Sequence, residues 1–138
     1  MKDFLEIFKS LSSENLHRLA EIYTDDIRFV DPAHEINGLD NLRSYFEKLY
    51  ANVTSVDFDF HEPMRLEQRG YVQWIMHFSH PRLQSGRVIE VPGSSFLHFS
   101  DSDKVFHHRD YFDLGSMLYQ HLPVLGGVVR SINRRLGS

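Results

Sequence analysis

Asp110 is the residue of this sequence best placed to do chemistry. It sits in the run His107-His108-Arg109-Asp110-Tyr111-Phe112-Asp113, which reads as a strand. Successive strand side chains point to opposite faces, so Phe106, His108, Asp110 and Phe112 are expected on one face and Val105, His107, Arg109, Tyr111 and Asp113 on the other. A carboxylate among aromatic rings is costly to bury unless it is partnered or lines a cavity. In a cavity it can take a proton from a ligand and give it back, which is general acid–base catalysis. An ion pair with Arg109 of a neighbouring strand or chain is the structural alternative, and the sequence leaves both open.

Asp31 and His34 bracket Pro32-Ala33, where a short strand ends. Such a pair can share a proton or orient a carbonyl group. Asp31 can equally accept backbone N–H groups in an Asx turn. Trp74 shares a face with Val72, Met76 and Phe78 and is expected as a core or pocket wall. Phe29, on the face of Asp31, and Tyr45, in the helix that follows, join Trp74, Phe106, His108 and Phe112 as the expected ligand-binding set. His77, on the opposite face from Trp74, is expected at the surface or in a dimer contact.

Nine histidines raise the question of a metal, since imidazole is the commonest metal ligand. The spacing argues against one, because His107 and His108 point to opposite faces of a strand and cannot chelate one ion together. No His-Glu-x-x-His helix, phosphate-binding glycine loop or Gly-x-Ser-x-Gly elbow occurs in the sequence. Neither a metal nor a cofactor is expected.

The elements that must position these residues belong to one domain, since 138 residues suffice for a single core. With 41% hydrophobic and 25% charged residues, the composition is that of a globular protein. A net charge of −4 argues against a nucleic-acid partner. The absence of cysteine removes disulfides and thiolate chemistry and fits a reducing compartment. The acidic start Met1-Lys2-Asp3-Phe4-Leu5-Glu6 lacks the apolar run of a signal peptide, and nothing approaches a membrane span. The cytoplasm is therefore expected, with no membrane partner.

Phe4, Ile7, Phe8 and Leu11 repeat at helical spacing, and a second short helix is expected from Ser12-Ser13 through Leu16, Leu19, Ala20 and Tyr23. Ile27 to Asp31 alternates as a strand until Pro32 and should turn Asp31 inward. After Asn37-Gly38, the repeat of Leu42, Tyr45, Phe46, Leu49 and Tyr50 predicts a third helix. From Val53 the period falls to two, with turns expected at Arg69-Gly70, Leu83-Gln84-Ser85-Gly86 and Asp101-Ser102-Asp103 and a bulge or bend at Pro92-Gly93. Leu114, Leu118, Leu122, Leu125, Val129, Ile132 and Leu136 mark a C-terminal helical stripe ending among Arg130, Arg134 and Arg135.

Helix, helix, short strand, helix and then long antiparallel strands is the order of the cone-shaped fold of nuclear transport factor 2 and its relatives. The chain resembles the SnoaL-like, polyketide-cyclase branch of that superfamily through Phe29-Val30-Asp31-Pro32 before the Gly38 turn, through Gly86 to Gly93, and through Lys104-Val105-Phe106 leading into Arg109-Asp110-Tyr111-Phe112-Asp113. The resemblance covers about residues 1–113 and leaves 114–138 as a C-terminal amphipathic helical extension of the same domain. It implies an α+β fold in which a cone-shaped, curved antiparallel sheet packs against the N-terminal helices around an apolar pocket. In family members with chemistry, an Asp on the final strand, often helped by a His or a second acid, is the general acid and base. Asp110 holds the matching position, and His98 is the approximate match for a His on the preceding strand. The resemblance implies a cofactor-free isomerase, cyclase or hydrolase acting on a small apolar or cyclic molecule with a polar oxygen, in a homodimer formed through the sheet. The same fold also serves non-catalytic ligand-binding and interaction modules.

Overall fold

The computed structural model describes residues 1–83, 86–117, 132 and 134–137. Helix α1 (Lys2–Ser10) carries Phe4 and Phe8 one turn apart, and both are buried. The second helix is shorter than its periodicity suggests: a 3-10 turn (Leu16–Arg18) leads into α2 (Leu19–Ile22), and Tyr23 already opens strand β1 (Tyr23–Val30). Asn15 ties down the approach, accepting from the Ser12 N–H and donating to the Ser10 carbonyl. Tyr23 is drawn into the sheet because it pairs with Val105, a contact across 82 positions of sequence that no local period contains.

Past Asp31 the chain returns as the three-residue strand β2 (Glu35–Asn37), antiparallel to β1 and too short for periodicity to reveal. Gly38, at φ 90°, precedes helix α3 (Leu39–Asn52), which buries Leu42 and Phe46. Glycine is favoured there because an L side chain rarely adopts positive φ. Strands β3 (Ser55–Leu66), β4 (Arg69–Ser79), β5 (Ile89–Phe99) and β6 (Val105–Phe112) follow, and the six-stranded order is β2-β1-β6-β5-β4-β3. Strands β3 to β6 pair antiparallel, as expected, but β1 lies parallel to β6, so the curved sheet is mixed at that one seam. The architecture is α+β, with the helices packed on the inner face.

Three local details differ from the sequence reading. The β3–β4 turn falls at Glu67-Gln68, one step before Arg69-Gly70, which is already paired strand. Pro92-Gly93 makes no bulge against β4, since the register runs unbroken through Ile75↔Pro92 and Trp74↔Gly93. Gly93 serves close approach instead: a Cβ there would run into the Trp74 indole. The irregularity that matters lies between β5 and β6, where Phe99 pairs with Val105 but His98 pairs with His107. The extra residue reverses the parity, so Val105 is fully buried while Phe106 turns outward, and the expected placement of Phe106 beside Asp110 does not hold.

Beyond β6, Leu114–Met117 form helix α4 against β5. Of the expected C-terminal stripe, Leu118, Leu122, Leu125 and Val129 lie outside the described residues, and Ile132 and Leu136 are exposed. Among the described residues no helix is long and apolar enough to cross a membrane.

Candidate functional site

Strand β6 presents His108, Asp110 and Phe112 to the inner face, and the register sets Ser95 of β5 directly opposite Asp110. Ser95 Oγ–H donates to Asp110 Oδ1 at 2.5 Å, and the Trp74 indole N–H donates to Ser95 Oγ at 2.8 Å. His108 Nε2 lies 2.7 Å from the same Asp110 oxygen, and His108 Nδ1 lies 2.6 Å from the Tyr23 hydroxyl. Tyr23 is only 1% exposed. Burial, and after it the charge of Asp110, pushes the Tyr23 hydroxyl well above its ordinary range, so it keeps its proton. The imidazole of His108 thus bridges the Tyr23 hydroxyl and the Asp110 carboxylate, with Nε2–H donating to Asp110.

The Asp110 side chain is 15% exposed. Its Oδ1 receives both donors, whereas Oδ2 takes no hydrogen bond among the described residues. Behind the carboxyl, between Phe4, Phe60, Val72 and His108, the space is about 10 Å³, room for one water at most. In front of it a hollow of about 100 Å³ opens between helices and sheet, walled by Phe8, Phe29, Phe46, Phe58, Trp74 and Phe112. Leu49 and Met76 complete the apolar wall, and Asp31, His34 and Tyr45 bring polar groups to it.

Asp31 faces inward with 7% of its side chain exposed, while the His34 side chain is 54% exposed. Asp31 Oδ1 accepts the N–H groups of Ala33 and His34 at 2.8 and 2.7 Å, so the Asx turn is real. The same carboxylate lies 3.1 Å from His34 Nδ1 and accepts the Tyr45 hydroxyl at 3.2 Å. The structural and the polar-site readings of Asp31 are therefore compatible. Burial, then the Asp31 charge, pushes the Tyr45 hydroxyl upward, so it remains a donor. An open groove of about 710 Å³ between β2 and α3 shares His34, Tyr45 and Leu49 with the hollow and continues past Asn37, Ser44 and Lys48.

Of the residues singled out from sequence, Asp110, Asp31, His34, Trp74, Phe112, Phe29 and Tyr45 meet around this hollow. His98, Phe106 and His108 do not. His98 and Phe106 stack on the outer face with centroids 4.4 Å apart, because the β5–β6 irregularity turns Phe106 away and His98 shares the outer parity of Phe96. His108 is on the expected face but stands behind the carboxyl, ringed by Phe4, Phe8, Tyr23 and Phe29, with both nitrogens engaged and none free for a ligand. The sequence reading missed Tyr23 and Ser95. Ser95 could have been found from the β5–β6 register, had it been known. Tyr23 carried no such signal, since its partner lies across the parallel seam. Among the described residues no three His, Asp or Glu side chains converge as metal ligands do.

A mixed sheet wrapped over helices with a carboxyl-bearing hollow inside defines the nuclear transport factor 2-like class. The chain belongs to the SnoaL-like domain family, whose pattern it matches over residues 3–108. Among curated proteins none matches the sequence. Solved structures share the fold. TsrD from Streptomyces laurentii superposes with a TM-score of 0.74 at 16% identity, over 88% of this chain and 93% of that one. A protein of ketosteroid isomerase-like fold from Catenulispora acidiphila, solved in complex with trimethylamine, gives 0.70 at 19% identity over 79% and 84%. A protein from Shewanella denitrificans described as a SnoaL-like polyketide cyclase gives 0.69 at 20% identity over 82% and 89%. At such identities the likeness establishes the fold alone.

Proposed function

We propose that the protein binds a small apolar or cyclic molecule with a polar oxygen in the hollow and performs cofactor-free acid–base chemistry on it, with Asp110 carrying the proton. The observation behind this reading is the asymmetry of the Asp110 carboxyl: Oδ1 is held by Ser95 and His108, Oδ2 takes no hydrogen bond among the described residues, and the residue lines an apolar cavity. A carboxyl held in one orientation against an apolar wall is pre-organised for proton transfer. Oδ2 takes the proton of a C–H bond beside a carbonyl, the bonding pair moves toward the carbonyl oxygen, and the proton returns at another position. His34, at the mouth, supports that oxygen through Nε2–H when protonated, with Nδ1 held by Asp31.

The test needs no named substrate. Small ketones are incubated with the protein in deuterated water, and exchange at the carbon next to the carbonyl is followed by proton NMR. Wild type should accelerate exchange, and Asp110→Asn should lose roughly 10²–10⁴-fold of that rate. Ligands that bind without any Asp110-dependent exchange would sink the catalytic reading and leave a binding module.

The reading extends to assembly. The outer face of β4 to β6 presents Tyr71, Phe96, Phe106 and Tyr111, with Tyr71 and Tyr111 about half exposed. His107 among them is pushed below its ordinary range, first by burial and then by Arg28, so it stays neutral. That face suits a second copy of the chain, in the cytoplasm, with residues 114–138 as an extension of the same domain.

A further inference from the structure

We propose that the group entering the hollow is a compact alkylammonium cation, the remainder of the ligand lying in the adjoining groove. The inference rests on the hollow being the ligand site and adds the charge and size of what it takes.

Size sets the first limit. An apolar cavity of about 150 Å³ holds benzene, so the 100 Å³ here admits about four or five non-hydrogen atoms by the same measure. A polycyclic molecule cannot enter whole. Charge sets the second. Two carboxylates, Asp31 and Asp110, face the hollow, and no lysine or arginine is among its lining residues. Asp110 accepts from Ser95 and His108, and Asp31 from two backbone N–H groups and Tyr45 with His34 beside it; the two histidines, charged only when protonated, are the only basic partners of either carboxylate among the described residues. A poorly solvated carboxylate with no permanently charged counter-ion favours any cation that can reach it. The wall supplies the rest, since the faces of Phe, Tyr and Trp rings carry negative quadrupole charge and attract a desolvated ammonium. An anion gains neither term.

The groove outside has the opposite character. Glu35, Asn37, Asn41, Ser44 and Lys48 line it, so a polar body suits it while the head sits inside. The ligand class that matches both is an alkylammonium head on a short polar tail.

Trp74 is the sequence's single tryptophan and stands in the wall, so its fluorescence reports occupancy directly. The full chain is titrated with choline and with choline's neutral isostere, in which a quaternary carbon replaces the nitrogen. Choline should bind about tenfold or more tightly than the isostere, and Asp31→Asn and Asp110→Asn should each reduce that preference. Either variant suffices if the other fails to fold. Equal affinity for the two probes would overturn the cation inference while leaving the hollow as a ligand site. No change in Trp74 emission with either probe would overturn both.

Discussion

Tyr23 and His108 stabilise the site only as a pair. With the tyrosine hydroxyl removed, His108 Nδ1 would be left alone in a cage of rings, and a buried polar atom stripped of its partner costs about 1–3 kcal/mol. Tyr23→Phe should therefore lower stability by that amount in urea denaturation, a loss well beyond the removal of one oxygen from an exposed ring. A change under about 0.5 kcal/mol, the range of neutral surface substitutions, would mean the hydrogen bond is not made in solution. Asp110 is positioned by the same logic one step further along, since two partners, Ser95 and His108, fix its Oδ1 and so hold the carboxyl in one orientation.

At the scale of elements, the β4–β5 pair sets how close the indole can come to the sheet. Gly93 leaves the space that the Trp74 ring occupies, and the ring's N–H reaches Ser95 from there. Gly93→Ala should cost about 1–3 kcal/mol by overpacking. The same substitution in a Trp74→Phe background should cost measurably less, a coupling read from a double-mutant cycle by chemical denaturation. Additive effects would show that the indole and the glycine do not share that space. The β5–β6 irregularity acts at this scale too, since one extra residue turns Phe106 to the outer surface, where it stacks on His98, while Asp110 keeps the inner face.

The whole molecule has a predicted alkaline limit. Tyr23, Tyr45 and Tyr50 all have hydroxyls pushed upward chiefly by burial, Tyr50 to about 12, against an ordinary value of about 10. The folded state thus holds these protons more tightly than the unfolded chain does. Their contribution is complete below the unfolded value and is lost as pH rises through the folded ones. Stability should fall as pH rises above about 10, with tyrosinate absorbance from these three rings appearing together with unfolding. Early ionisation in a still-folded protein would contradict their burial. Assembly belongs to the same scale: Tyr111→Glu on the outer face should leave the fold intact and shift sedimentation toward the monomer, and an unchanged sedimentation coefficient would remove that face from the interface.

What the amino-acid order determined alone is what local periodicity can encode. The alternation through Val56, Phe58 and Phe60, the helical repeat of α3 and the inward parity of Asp31 and Asp110 follow from side-chain spacing, because burial of one face rewards a period of two or 3.6. Those signals sufficed for the α+β class, and they named seven residues that meet around the hollow. The rest was decided by pairing between distant segments. Tyr23 became strand because β6 offered it a partner, Phe106 turned outward because a single residue slipped in the β5–β6 register, and His108 moved behind the carboxyl because its two nitrogens found Tyr23 and Asp110. Register is a property of two strands at once, so one strand's sequence cannot state it. The hollow is likewise a volume left between helices and sheet, and only their packing sets its size.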